Sequence, residues 1–165
     1  MEKKTDNHLN ENPSFNSSVA VTGFAGGIIW SVIGYIAYFF NFISFGPAIV
    51  LMPWALGEWK TGPLGQWIGV VIIGVLSIGL AFLYRLLFAK INKFWPGLLF
   101  GGALWLLVFF IMNPLFKGIN FIPVLDFNTL VTSFSLYLIY GLFIGYSISF
   151  DYYERSRQNE ATVQE

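Results

Sequence analysis

Residues 19–40 read VAVTGFAGGIIWSVIGYIAYFF, a stretch without a single charged side chain. A helix needs about 20 apolar residues to cross the hydrocarbon core of a bilayer, so this stretch is long enough to span a membrane. It is too long for the apolar core of a signal peptide, which has roughly 7–15 residues, and no small-residue cleavage site follows it. Its apolar residues are continuous, whereas a strand of a membrane β-barrel alternates apolar and polar residues. The stretch therefore predicts a transmembrane helix.

Charge-free runs of the same kind follow along the chain. Together with the first they predict four helices, near Val19–Phe40, Leu64–Ala89, Pro96–Asn113 and Thr129–Phe150. We therefore expect an all-α integral membrane protein whose transmembrane domain, residues 19–150, is a four-transmembrane-helix bundle. Residues 1–18 are polar and have no periodic apolar face, which predicts a disordered cytoplasmic tail. Residues 151–165 are predicted to form a second cytoplasmic tail.

The composition excludes an ordinary soluble domain. Hydrophobic residues make up 56% of the 165 residues and charged residues 11%, against about 25% charged residues in a typical globular chain. Most charges lie in the two tails, and a soluble fold with so few charges elsewhere would expose large apolar patches. We expect the lipid bilayer to surround the protein. The formal net charge is zero, which gives no reason to expect nucleic acid as a partner.

Lysine and arginine residues predict the orientation, because they concentrate on the cytoplasmic side of membrane proteins. With four spans, Lys60 and Lys117 fall on one side of the membrane. The other side carries a larger basic set, namely Lys3, Lys4, Arg85, Lys90, Lys93, Arg155 and Arg157. This distribution predicts a multi-pass protein of the cell (plasma) membrane with both termini in the cytoplasm.

Residues 44–62, SFGPAIVLMPWALGEWKTG, form an unusual connection between the first two helices. The apolar part, 47–57, is too short to span a bilayer, and Pro47 and Pro53 both interrupt helical hydrogen bonding. Unpaired backbone groups are costly in lipid, so the segment is expected to be interfacial, or re-entrant and lining a pocket. Under the second reading Pro47, Pro53, Trp54 and Glu58 are candidate pocket or outer-loop residues.

Small residues recur at four-residue spacing within the predicted helices. Such spacing lets helix backbones approach closely where the hydrophobic effect cannot drive packing. The candidate helix-packing residues are Gly23, Gly27, Gly65, Gly69, Gly97, Gly101, Gly141 and Gly145. The contacts are expected within one chain, with self-association as the alternative.

Two tryptophans, Trp30 and Trp105, fall near the middle of predicted spans. A buried indole N–H needs a hydrogen-bond partner, so these residues are expected either to pack between helices and donate to a hydroxyl or carbonyl, or to line a ligand pocket. They end the related sequences GGIIW (26–30) and GGALW (101–105), which indicate either a parallel two-plus-two repeat or coincidence in a glycine-rich chain.

The sequence offers little that could carry chemistry. It contains no cysteine, and its one histidine, His8, lies in the polar amino-terminal tail. Ionisable residues are absent from the middle of the spans, which disfavours proton relays and acid–base catalysis there. We therefore predict no enzyme activity, no catalytic residue, no cofactor and no metal. The basic residues preceding Trp95 are interpreted as setting the topology, with contact to anionic lipid headgroups as the alternative.

Several stretches resemble the YqhR-type conserved membrane proteins of Bacillus and related spore-forming Firmicutes. They are GPAIVLMPWALGEWKTGPLGQWIGV (46–70), GVLSIGLAFLY (74–84), WPGLLFGGALWLLVFF (95–110) and YGLFIGYSISFDY (140–152). The resemblance covers roughly residues 20–153. It implies an integral membrane protein of about four helices, and it brings no activity and no functional residue with it.

Two functions fit this sequence. The first is a non-enzymatic structural, accessory or assembly partner that contacts another membrane protein or a second copy of itself. The alternative is a small transporter, channel or lipid-handling protein for an uncharged or weakly polar solute. A polar cavity reaching past 47–53 would favour the alternative.

Overall fold

The computed structural model describes residues 14–53, 57–89, 91, 93–112 and 126–163. Within these residues the chain is helical and contains no strand. The four α-helices are α1 (Phe15–Phe39), α2 (Pro63–Phe88), α3 (Trp95–Leu107) and α4 (Phe127–Val163). Two 3₁₀ helices, Pro47–Leu51 and Glu58–Thr61, connect α1 to α2, and the π-helix Val108–Met112 continues α3.

Three helices are long and apolar enough to cross a membrane: α1, α2 and, in α4, the stretch Phe127–Gln158. By itself α3 is shorter, with 13 residues, and at 1.5 Å per residue it measures about 20 Å. The π-helix extends it in the same direction. The all-helical fold expected from the sequence is thus confirmed.

The helices begin at residues suited to that position. Ser14 caps α1, its side chain accepting a hydrogen bond from the N–H of Ser17 at 3.3 Å, which satisfies one of the free donors of the first turn. Pro63 and Pro96 stand in the first turns of α2 and α3, where a residue without an N–H costs nothing. Asn41, just past α1, has a φ of 60°, a conformation that asparagine tolerates and that ends the helix.

Two helix ends differ from the predicted boundaries. Residues 15–18, assigned above to the amino-terminal tail, are the first residues of α1, and α4 continues through most of the segment 151–165. The reason is that hydropathy locates the edge of the apolar stretch, whereas helical hydrogen bonding continues into water wherever side chains support it. In α4 the Arg155 side chain pairs with Asp151 one turn earlier at 3.0 Å, a spacing that stabilises exposed helix. Residues 1–13 lie outside the described residues.

Helix α1 packs chiefly against α2, and α3 chiefly against α4, while α1 also contacts α4 and joins the two pairs. The interior of this bundle contains Tyr84, Ile144 and Ile148, all almost fully buried. The Tyr84 ring meets the ring of Phe100 edge to face, with centroids 5.1 Å apart. One apolar cluster therefore connects all four helices.

The contacts at the two ends of the bundle fix the direction of each helix. At one end, Phe15 of α1 lies against Arg85 of α2 and Arg155 of α4, with guanidinium carbons 4.4 and 5.8 Å from the ring centroid. At the opposite end, Ser44 meets Thr129 at the start of α4. The chain between α2 and α4 therefore passes from the first end to the second, and α3 runs in that direction.

Candidate functional site

The contact between α1 and α2 depends on the absence of side chains at two predicted glycines. A Cβ atom placed on Gly23 would lie 2.7 Å from the Cβ of Ala81. One placed on Gly27 would lie 2.8 Å from the Cα of Gly74 and against Ser77. Both distances are too short for carbon atoms that are not bonded, so a larger residue at either position would force the helices apart.

The contact between α3 and α4 is closer still. A Cβ atom on Gly97 would lie 2.8 Å from the carbonyl oxygen of Gly141, and one on Gly145 would lie 2.8 Å from the Cα of Gly97. Gly101 faces the carbonyl of Tyr137, and Gly141 faces the backbone of Gly97 and Gly101. The predicted glycines of α3 and α4 thus meet one another, backbone to backbone, within one chain.

Gly65 and Gly69 have different neighbours from those expected. A Cβ atom on Gly65 would overlap the backbone of Lys60, and one on Gly69 would overlap the Pro47 carbonyl. These two glycines therefore do not bring α2 against another long helix. They make room for the connection 44–62, which folds back onto the first turns of α2.

Side chains of α2 and α4 bind this connection through hydrogen bonds. Gln66, 6% exposed, accepts a hydrogen bond from the Ala48 N–H at 3.0 Å. The Ser44 N–H donates to the Thr129 hydroxyl oxygen at 3.1 Å, and the two hydroxyl groups are 2.9 Å apart. The protein thus satisfies backbone donors that the proline-interrupted segment cannot pair internally, as burial requires.

The structure describes only some of the predicted pocket residues of this segment. Pro47 is buried in the first 3₁₀ helix, whereas Pro53 is exposed. Glu58 is the first residue of the second 3₁₀ helix. Trp54 lies outside the described residues.

A small cavity of about 130 Å³ lies behind the first 3₁₀ helix. Its walls include Tyr38 from α1, Gln66 from α2 and residues 44–46, which precede this 3₁₀ helix. With roughly 30 Å³ per water molecule in the liquid, a space of this size has room for a few waters. Sequence reasoning pointed to this region through its prolines, yet it missed Ser44 and Thr129, because their pairing joins residues far apart in the chain.

The two central tryptophans occupy unlike surroundings. The Trp105 Nε1 donates to the hydroxyl of Ser133 at 3.1 Å, and its ring packs on Phe109 with centroids 4.8 Å apart. Trp30 packs at the edge of the apolar cluster, and its Nε1 is buried with no hydrogen-bond partner among the described residues. Trp105 therefore connects α3 to α4, whereas Trp30 contributes its ring to packing.

A buried hydrogen bond also joins α2 to α4. The hydroxyl groups of Ser77 and Tyr140 are in direct contact, and both residues are buried, at 1% and 7% exposure. Ser77 also lies against Gly27 of α1. The polar pair therefore stands where three helices meet.

The comparisons with known proteins agree with this membrane architecture. The family model described as conserved membrane protein YqhR matches residues 1–163, so the similarity extends past 20–153 into both tails. The chain is 49% identical over 148 residues to the uncharacterized protein YqhR of Bacillus subtilis (strain 168), covering 90% of this chain and 83% of that protein. No solved structure matches the chain.

We predict that the Ser77–Tyr140 bond contributes to stability as a coupled pair. Ser77→Ala or Tyr140→Phe should each lower the free energy of unfolding by about 0.5–1.5 kcal/mol, since each leaves a buried hydroxyl without its partner. The double variant should lose little more than either single variant. Thermal unfolding in detergent measures the stability of the two single variants and the double variant against the natural protein. Tyr146→Phe is the control, because Tyr146 is an exposed tyrosine of the same helix as Tyr140. Strictly additive losses would contradict the coupling.

Proposed function

We propose, for a chain that belongs to the YqhR family of conserved membrane proteins, that it acts by contact and not by chemistry. In this proposal it is a structural, accessory or assembly partner in the cell membrane. The observation that carries the proposal is that buried polar side chains at the centre of the bundle bond from one helix to another, as Ser77 with Tyr140 and Trp105 with Ser133 illustrate. A protein so organised presents its outer surface, and not an internal site, to other molecules.

Two glycines support contact with another helix. A Cβ atom on Gly34 of α1 or on Gly79 of α2 would meet nothing within 4 Å. The sequence did not predict Gly34 or Gly79 as packing residues. Six of the eight glycines that it did predict are occupied by contacts between the helices of one chain, whereas these two face open space. In a bilayer, glycine on an open face permits close approach of a second helix. We therefore assign the outward faces of α1 and α2 to a partner, either another membrane protein or a second copy of this chain.

The proposal includes four spans with both termini in the cytoplasm. It is supported by the contacts at the end of the bundle, where Arg85 and Arg155 lie together near the start of α1. These cations belong to the basic set that the sequence assigns to the cytoplasmic side. The direction of α3, from this end to the opposite one, supports a fourth crossing. The connection 44–62 would then lie at the outer interface.

We predict that cysteines introduced on the two sides will differ in accessibility. The natural chain has no cysteine, so Lys60→Cys and Lys93→Cys each provide one thiol. A membrane-impermeant maleimide should label the first variant in intact cells and the second only after the membrane is permeabilised. The reverse pattern would overturn the orientation.

The contact function predicts a complex with a second membrane protein or a second copy of this chain, and this complex should depend on Gly34 and Gly79. Gly34→Leu or Gly79→Leu should weaken it at least tenfold, because the added side chain keeps a second helix at a distance. Val71→Leu, which enlarges an exposed position of α2, is the matched control and should leave the complex intact. Quantitative cross-linking in membranes followed by size analysis in detergent measures the complex. A protein that stays monomeric and unpartnered in both would contradict the proposal.

A second candidate function, passage of an uncharged or weakly polar solute, is favoured by the cavity beside Gln66. It predicts that proteoliposomes take up glycerol faster than protein-free vesicles do. Gln66→Leu, which removes the polar wall of the cavity, should abolish the difference, whereas Gln66→Asn should keep part of it. Equal uptake with and without the protein would exclude glycerol passage and leave the contact function as the better explanation.

A further inference from the structure

A second and larger cleft, of about 670 Å³, lies between the start of α3 and the latter half of α4. Its volume is within the range of about 300–1,000 Å³ that small-molecule sites occupy. Lys93 and Arg157 bring two cations to it, and Glu154 brings one carboxylate. Aromatic side chains form its walls, namely Phe94, Trp95, Tyr146 and Phe150.

We propose that this cleft binds one molecule of an anionic phospholipid of the phosphatidylglycerol type. The phosphate would lie between Lys93 and Arg157, and the glycerol backbone with the first part of the acyl chains would lie between the aromatic walls. This site goes beyond the contact function proposed above and does not depend on it.

The order of residues along α4 matches the order of groups in such a lipid. Tyr146, Phe150, Glu154 and Arg157 face the cleft at spacings of four, four and three residues, so they follow one face of the helix. At 1.5 Å per residue the row is about 16 Å long. Its apolar members come first, and its charged members lie toward the end of the bundle that holds Arg85 and Arg155. A lipid in the adjacent leaflet has its acyl chains and its headgroup in the same order.

The aromatic walls are two stacked pairs. The rings of Tyr146 and Phe150 are inclined by 20°, with centroids 5.9 Å apart, and those of Phe94 and Trp95 by 29°, with centroids 5.1 Å apart. All four side chains are more than half exposed. Aromatic residues of this kind favour the headgroup level of a membrane, where flat rings suit the glycerol and upper acyl region better than they suit a free ion.

The charges of the cleft suit a phosphodiester with a single negative charge. Neither Lys93 nor Arg157 forms an ion pair within the described part of the chain, and with Glu154 the three groups sum to one positive charge. Phe94 and Trp95, at the amino-terminal end of α3, line the cleft. No side chain caps this end, so the positive end of the helix dipole lies beside the cleft. Glu154 can accept hydrogen bonds from the hydroxyls of a glycerol headgroup.

A buried serine also borders the cleft. Ser149 is 4% exposed and lines the cleft. Its Oγ lies near the Tyr84 hydroxyl and has no partner at full hydrogen-bonding distance and angle. Because this oxygen is closed off from the surface, Ser149 contributes to the shape of the cleft wall, and the lipid contacts are assigned to Lys93, Arg157 and the aromatic side chains.

Lipid binding to the purified full-length protein in detergent tests the proposal, with native mass spectrometry or ligand-dependent thermal stability as the readout. We expect one molecule of dioctanoyl-phosphatidylglycerol to bind at least tenfold more tightly than dioctanoyl-phosphatidylcholine. Comparable binding of these two lipids would overturn the proposal. So would equally tight binding of dioctanoyl-phosphatidylethanolamine, because that lipid has no net charge. Saturation by millimolar inorganic phosphate alone would show a simple anion site and would overturn the assignment to a lipid.

Variants locate the site. Lys93→Gln with Arg157→Gln should weaken binding of phosphatidylglycerol at least tenfold. Arg155→Gln is the matched control, since this arginine lies on the same helix, pairs with Asp151 and faces Phe15 of α1; its binding should change less than twofold. Wild-type affinity in the double variant would overturn the proposal. The comparison of lipids on the natural protein remains decisive if a variant unfolds.

Discussion

The lipid around a membrane helix is as apolar as the side chains of the helix, so the hydrophobic effect does not drive helices together there. Close packing of the helix backbones has to provide the attraction instead. Glycines provide that approach at Gly27 against Gly74 and at Gly97 against Gly141. The two helix pairs follow from these contacts. So does the interior, where helices this close enclose one main apolar cluster, a smaller one around Phe109 and a few paired polar groups.

The same constraint explains the connection between α1 and α2. Its prolines remove internal hydrogen bonds, and its burial against the bundle keeps water from replacing them. Gln66 and Thr129 provide them instead. Gly65 and Gly69 let the segment come close enough to use them. Packing and hydrogen bonding are therefore inseparable in this part of the fold.

Much of this architecture could be predicted from hydropathy, because a run of apolar residues long enough to span a bilayer has few other uses. The limits of α1 and α4 could not be predicted in this way, because helical hydrogen bonding continues beyond the edge of the apolar stretch. Glycine spacing indicated that something approaches closely at Gly65 and Gly69 without identifying it. The hydrogen bond between Ser44 and Thr129, and the position of Lys93 and Arg157 at the same cleft, depend on tertiary structure and cannot be found from a local sequence pattern.

Helix α4 has a consequence for communication across the membrane. Its 37 residues form one continuous helix, about 55 Å long at 1.5 Å per residue, while the hydrocarbon core measures about 30 Å. A helix of this length is long enough to join the two surfaces of a bilayer. Its charged end and Thr129 belong to one continuous helix, and Thr129 bonds to Ser44, so the chain has a direct mechanical connection from one end of the bundle to the other.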